Sequence, residues 1–324
     1  MKAALIVRLG EAPVYSDFPE PVPAEDEVLI QVSAVALTPV TRSRAAGRHY
    51  TSAESLPLIP GVDGVGYLAD GRRVYFGAPR NPFGSLAEYT VVRKGRYIPV
   101  PDHLDDVTAA ALANPGASSW LALQERARLQ PGETVLINGA TGIAGRLAIP
   151  IARYLGATKI VVTGRNEEIL RSLISQGADI TLSLRQDDDR WLEVFKDVFR
   201  EGVDVVLDYL WGPSAERLLM AAALTAMEER PVRFVQVGSI SGETIALPAA
   251  VLRAAPIELL GSGIGSVSLP RMLEGVAALF EASASLRLTV PTNTRRLSEV
   301  TTVWSSQEEA QHSRTVFLIN AGRS

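Results

Sequence analysis

Thr134-Val135-Leu136-Ile137-Asn138 runs directly into Gly139-Ala140-Thr141-Gly142-Ile143-Ala144-Gly145. The first five residues read as a buried strand, and the glycine turn after them opens a helix expected over Gly145–Leu155. Small residues are needed at such a spot when a pyrophosphate must approach the backbone closely. Free N–H groups at the helix start, aided by the helix dipole, then hold its charge. The spacing is G-x-x-G-x-x-G, and Thr141 stands where the middle glycine of G-x-G-x-x-G would fall. A bare glycine turn is also an ordinary strand-to-helix junction. A complete βαβ unit around it points to dinucleotide binding.

That unit continues downstream. A strand over Lys159–Thr163 is followed by a helix over Glu167–Gln176, closed by Gly177, and by a strand over Ile180–Leu184. Val203–Asp208, Arg233–Val237 and Ile257–Leu260 extend the series. Apolar strands alternating with amphipathic stretches predict an α/β doubly wound parallel sheet. The second strand of the unit ends Val162-Thr163-Gly164-Arg165-Asn166, with no acid at its tip. A carboxylate there would hold the ribose 2′-OH of NAD, whereas a cation suits a 2′-phosphate. Arg165 offers a guanidinium fork to that phosphate, so NADPH is favoured over NADH. The plainer role for Arg165 is a solvated surface side chain at a helix start.

Upstream the texture differs. Ala3–Val7, Val28–Ala36, Arg73–Phe76 and Leu86–Val92 are short strand candidates, with Pro57, Pro60, Gly61, Gly64 and Gly66 clustered between them. They predict a barrel-like β domain. Asp106-Val107-Thr108 and the alanine-rich run after it look like a capped helix leading into the α/β region. The last stretch holds one expected helix, Pro270–Ala284, and strand-like pieces ending in Thr315–Ile319.

At 324 residues, 47% apolar and 21% charged, the chain can form two ordinary globular domains without staples. A net charge of −4 gives no footprint for nucleic acid or an anionic membrane. There is no cysteine, which removes disulfides, cysteine nucleophiles and thiolate zinc sites. His49, His103 and His312 are far apart in sequence and form no ligand pair, so no metal is expected. Met1–Val7 lacks a signal-peptide core, and no apolar run is long enough to span a bilayer; a cytoplasmic protein is the default expectation.

With these features in place, the sequence resembles the zinc-independent quinone oxidoreductase branch of the medium-chain dehydrogenase/reductase superfamily over essentially its whole length. The resemblance is carried by Gly61-Val62-Asp63-Gly64-Val65-Gly66, Gly84-Ser85-Leu86-Ala87-Glu88-Tyr89 and Gly116-Ala117-Ser118-Ser119-Trp120. Pro131-Gly132-Glu133-Thr134-Val135-Leu136, Leu155-Gly156-Ala157 and Gly177-Ala178-Asp179 add to it, and their order and spacing together are specific. The resemblance implies a GroES-like β-barrel catalytic domain built from both chain ends, residues 1–112 and 263–324. The segment between them, residues 113–262, would be a Rossmann domain, with the active site in the cleft between the domains. It also implies hydride transfer from NADPH to a quinone or an activated C=C bond, and a homodimer paired through the Rossmann edge strand Ile257–Leu260.

Carried over residue by residue, Gly139, Gly142, Ile143 and Ala144 would hold the pyrophosphate, and Gly164 and Arg165 the adenosine phosphate. Val237, Gly238 and Ser239 match a loop near the nicotinamide ribose, while Ser262 and Gly263 match the nicotinamide pocket. Ser118 would stand beside the nicotinamide, its plainer role being an N-terminal helix cap. Tyr50 is the candidate for orienting or protonating substrate, against a cleft-wall aromatic with water as proton source; His49 is a weaker candidate. Tyr209 would line the cofactor cleft, and Arg314 would approach the phosphates or lie at the surface.

Three departures stand out. Thr38-Pro39-Val40-Thr41 replaces the Asn and Asp of many relatives, Glu168 falls near their phosphate-binding lysine, and Ser183-Leu184-Arg185 replaces a tyrosine, with Arg185 as the candidate substitute. Two other readings accompany the quinone reductase: an enone or enal reductase, and an NADPH-binding sensor or structural protein with little turnover. No paired carboxylates or Ser/His/Asp set argue for hydrolysis.

Overall fold

The structure is a computed structural model that describes residues 1–52, 55–185, 188–226, 230–306 and 313–319. His312 lies outside the described residues. The chain divides into two compact units, Met1–Asn114 with Ser268–Ser324, and Pro115–Val267.

In the unit made from both chain ends, β1 (Lys2–Leu5) and β2 (Val14–Asp17) form an antiparallel pair. A seven-stranded sheet contains β3 (Glu27–Ala36), β4 (Asp63–Leu68), β5 (Arg73–Gly77), β6 (Tyr89–Arg93) and β7 (Tyr97–Pro99), joined by β14 (Thr292–Arg296) and β15 (Arg314–Leu318). Its order is β14-β15-β3-β4-β5-β7, with β6 on β3. Thus the C-terminal strands complete a sheet begun by the N-terminal ones. Ile30, Val32, Phe76, Leu86 and Phe317 meet in its core. Helices α1 (Pro39–Ala45), α8 (Leu269–Ser283) and α9 (Val300–Ser305) belong to this unit.

Helix α2 (Asp106–Leu121) starts one residue later than its cap, Asp105, whose carboxylate accepts the Thr108 N–H at 2.8 Å. The sequence pattern centres the cap on Asp106-Val107-Thr108; the carboxylate one residue earlier makes the bond.

The unit Pro115–Val267 holds β8 (Thr134–Asn138), α3 (Ile143–Tyr154), β9 (Lys159–Gly164), α4 (Glu167–Ser175), β10 (Ile180–Ser183), α5 (Asp188–Glu201), β11 (Val205–Asp208), α6 (Gly212–Leu224), β12 (Val232–Gln236), α7 (Ala249–Ala254) and β13 (Ile257–Gly261). The six strands run parallel in the order β10-β9-β8-β11-β12-β13. β8 and β11 are buried along their whole length, as befits a parallel sheet covered on both faces. Phe195 and Phe199 of α5 and Leu218 and Leu219 of α6 pack with Leu136, Val161, Val206 and Phe234. Each such buried side chain contributes roughly 1.5–3 kcal/mol. The order reverses at β8, whose neighbours are β9 and β11, so the crevice that accepts ligands in this topology lies over the ends of Asn138 and Asp208. Strand β13 ends the sheet, with Leu259 40% exposed.

Candidate functional site

The glycine turn joins β8 to α3. Gly139 has φ +92°, a left-handed conformation that turns the chain sharply off the strand. A Cβ on Gly145 would lie 2.6 Å from both Ala140 Cα and Gly139 O, so only glycine lets α3 approach the turn this closely. Gly142 differs. It is exposed, and a Cβ there would meet nothing nearer than Gly139 O at 3.9 Å. Helix α3 starts on Gly142 with no side-chain cap and no acid in its first turn. The helix thus begins at Ile143, two residues before the expected Gly145, and its first N–H groups carry no capping side chain. Such a start offers backbone donors and the positive helix end to an anion, and among the described residues no side chain fills the space over Gly142. A dinucleotide pyrophosphate fits that cradle.

Beneath the turn lies a buried polar network. Thr163 Oγ1 accepts the Gly139 N–H at 3.1 Å and donates to Asn138 Oδ1 at 2.6 Å. Asn138 Nδ2 donates to Asp208 Oδ1 at 2.8 Å and to Ser214 Oγ at 2.9 Å. Asp208 also accepts the Leu210 and Trp211 N–H groups. Burial pushes the Asp208 carboxyl up, while those backbone donors and Asn138 pull it down. The carboxylate therefore binds the β11 end to the β8 end. Thr163 and Asn138 give no signal in the sequence, where both look like ordinary strand positions.

Gly164 closes β9 against Thr141 of the turn, where a side chain would collide. Arg165 follows, exposed, and its backbone carbonyl accepts the Arg185 Nε–H at 2.7 Å. The two guanidinium-bearing residues therefore sit together at the end of the second strand. Asn166 caps α4 by accepting the Ile169 N–H, with Glu167 and Glu168 in the first turn. Arg146, one turn into α3, keeps a buried guanidinium nitrogen with no partner among the described residues.

The loop after β12 folds onto the β11 end. Val237 N–H and Gly238 N–H both donate to Asp208 O, and a Cβ on Gly238 would come within 2.8 Å of Tyr209 O. Ser239 continues that loop. After β13, the Ser262 N–H donates to Gln236 O at 2.8 Å, and the Gly263 N–H to Ser266 Oγ at 2.7 Å. Both segments lie at the carboxyl ends of neighbouring strands.

Ser118 lies within α2 and donates to Pro115 O at 2.8 Å. Its reading as an N-terminal cap is corrected by the helix, which runs continuously through it from Asp106. Ser119 makes the longer-range contacts. Its Oγ sits 2.7 Å from Tyr209 Oη and donates to Ala144 O at 3.1 Å. Burial pushes the Tyr209 phenol up to about 12, and its bonds to Ser119 and Ser118 pull it back. Helix phase decides which of the two adjacent serines reaches Ala144, and sequence alone does not set that phase finely enough.

In the other unit, Tyr50 is 72% exposed and stacks on His49 with ring centroids 4.1 Å apart. His49 Nδ1 lies 2.8 Å from Thr51 Oγ1. Thr38 caps α1, and its hydroxyl lies 2.9 Å from that of Thr41, both buried. Asp63 of β4 is buried and accepts the Tyr75 hydroxyl at 2.7 Å. Arg314 of β15 is also buried and donates to Leu37 O at 3.2 Å. Burial pushes the Asp63 carboxyl up to about 6, opposed by Tyr75 and Arg314.

A family profile described as zinc-binding dehydrogenase matches residues 144–282. A probable NADPH-dependent quinone reductase of Emericella nidulans is 30% identical over 358 residues, covering 98% of this chain and 100% of that protein. An NADPH-dependent alkenal/one oxidoreductase of Arabidopsis thaliana is 34% identical over 185 residues, 50% of this chain and 46% of that one. Among solved structures, the quinone oxidoreductase from Thermus thermophilus, also studied in complex with NADPH, superposes with a TM-score of 0.79 at 26% identity. That match covers 98% of this chain and 100% of the other. The profile's description mentions zinc, but this sequence has no cysteine to supply a thiolate ligand. The fold is a Rossmann unit with a GroES-like unit. Matched from end to end in sequence and in fold, the chain belongs to the zinc-independent quinone oxidoreductase branch of the medium-chain dehydrogenase/reductase superfamily.

Proposed function

We propose that this chain is an NADPH-dependent oxidoreductase that delivers hydride to a quinone, or to the conjugated double bond of an enone or enal. The observation that carries this reading is the uncapped, glycine-lined start of α3 beside a second strand that is followed directly by Arg165. NADPH, when bound, supplies hydride donation. Gly139, Gly142, Ile143 and Ala144 hold the pyrophosphate with backbone N–H groups, and Gly164 and Arg165 receive the adenosine phosphate. Val237, Gly238, Ser239, Ser262 and Gly263 orient the nicotinamide end. Ser118 stands by the ring, and the Tyr50 phenol delivers a proton to, or orients, the reduced acceptor. The unit Pro115–Val267 carries the cofactor and the unit from both chain ends carries the acceptor. The enone reading is supported by the acceptor named for the Arabidopsis relative.

The exposed edge strand β13 supports a homodimer, since an unpaired apolar edge is usually covered. No helix among the described residues is long and apolar enough to cross a membrane. The test is NADPH oxidation against a panel of quinones and alkenals. Turnover on either class supports the reading. Tight NADPH binding without turnover on any acceptor would replace it with a cofactor-binding sensor.

A further inference from the structure

We propose that the recess beside α1, in the unit built from both chain ends, binds a carboxylate on the acceptor, with Arg44 as its specificity-determining cation. This deepens the acceptor end of the proposed function and rests on that reading. Thr41, Arg44 and Ala45 of α1 form one wall; the segment Leu58–Val62 and Asn81 form others. Among the described residues, Arg44 is the sole charged group lining the recess.

The guanidinium of Arg44 is half-buried and makes no hydrogen bond or ion pair among the described residues. Burial pulls its pKa down, and no carboxylate among the described residues pairs with it to hold it up. Neighbouring arginines are different. Arg42 donates to the carbonyl oxygens of Trp304, Val303 and Ser306, and Arg80 pairs with Glu27 at 2.7 Å. A desolvated cation without a counter-ion is costly, and an arriving anion offsets that cost. The guanidinium fork matches a carboxylate in two-point geometry. His49 does not supply the missing charge: burial, then the Arg44 charge, depresses its pKa.

A second observation comes from another wall. Gly61 has φ +110°, and any side chain there would strike the Ser85 hydroxyl. Ser85 follows Gly84, which also lines the recess, and its hydroxyl is fully buried without a partner among the described residues. Among the described residues, the recess is thus lined by one cation without a counter-ion and otherwise by neutral residues, and directly behind its Gly61–Gly84 wall lies a buried hydroxyl without a partner.

The test uses the full chain and sodium benzoate as probe. Titration calorimetry on the wild type, R44Q and R44K is combined with steady-state reduction of menadione, an uncharged quinone. Loss of a charged hydrogen-bonded partner predicts at least about tenfold weaker benzoate binding in R44Q, and a smaller loss in R44K, which keeps the charge but not the fork. Benzoate is expected to raise the KM of the wild type for menadione without changing kcat. Thermal melts of both variants matching the wild type show that the fold is intact.

Benzoate binding equally to wild type and R44Q would overturn the proposal, as would no binding to the wild type. Binding that leaves the menadione KM untouched would overturn the assignment of the recess to the acceptor. Menadione turnover without benzoate binding refutes the carboxylate site alone. Benzoate binding with no turnover on any acceptor refutes the oxidoreductase reading instead.

Discussion

The Thr163 hydroxyl accepts the Gly139 N–H at 3.1 Å and so ties the second strand of the Rossmann unit to the turn after the first. Through Asn138 the same hydroxyl is linked to Asp208 at the end of β11. Three strand ends on both sides of the switch point therefore share one set of hydrogen bonds.

Thr163→Val keeps the shape and removes the hydroxyl, leaving the Gly139 N–H and the Asn138 Oδ1 without the bonds it supplied. A stability loss of about 1–3 kcal/mol is expected. NADPH binding should weaken by a factor on the order of ten, equivalent to about 1.4 kcal/mol. Thr163→Ser should restore much of both. Denaturant melts and fluorescence titration with NADPH check this; destabilisation with unchanged NADPH affinity would reduce Thr163 to a structural role.

The glycines of the turn should separate into two kinds. Gly145→Ala places a carbon 2.6 Å from backbone atoms of residues 139 and 140, and overpacking of this sort costs roughly 1–3 kcal/mol. Gly142→Ala meets open space in the protein, so its melting temperature should stay near that of the wild type while NADPH binding weakens. Equal NADPH affinity in Gly142→Ala and wild type would argue against a phosphate at that point.

Arg165→Gln should lower the preference for NADPH over NADH. A lost charge-assisted contact of about 1.5–3 kcal/mol corresponds to roughly 10- to 100-fold in the ratio of kcat/KM values. Because Arg185 is anchored on the Arg165 carbonyl, Arg185→Gln should produce a smaller change in the same direction. An unchanged ratio in the double variant would sink the phosphate role of this pair.

Asp63 predicts a pH signature. Its carboxyl is raised from 3.8 to about 6 in the fold, so the folded chain holds this proton more tightly than the unfolded one. The contribution to stability is complete below the unfolded value and disappears as pH climbs through about 6. Its size is on the order of 3 kcal/mol. Asp63→Asn cannot titrate, so the stability difference between wild type and variant should change across that window and be flat above it. Chemical denaturation at a series of pH values reads this directly; a difference independent of pH would refute it.

If the proposed homodimer pairs through the exposed edge of β13, Leu259→Lys should give a monomer by light scattering where the wild type gives a dimer. A monomeric wild type at micromolar concentration would contradict pairing at that edge.

Several of these residues are visible in the one-dimensional pattern. Gly139, Gly142 and Gly145 stand out because a sharp strand-to-helix turn demands small side chains locally, and Arg165 because it follows the next strand directly. Ser119, Thr163 and Asn138 do not stand out. A hydroxyl or amide inside a strand or helix acquires a role only from the atoms that folding places beside it, such as Ala144 O for Ser119. Arg44 reads as one more basic residue on a short helix until Leu58–Val62 and Asn81 close around it.

By itself the sequence determined the alternation of strands and helices, the glycine turn, the cation after the second strand and the absence of thiolate ligands. All of these depend on residue type and local spacing, which act over a few bonds or one helical turn. The tertiary structure decided which partners each polar group found. It completed the seven-stranded sheet with the C-terminal strands, buried Asp63 near Tyr75 and Arg314, and left Arg44 without a counter-ion among the described residues. Those outcomes depend on burial and on contacts between residues remote in sequence, where desolvation sets the strength of every charge and hydrogen bond.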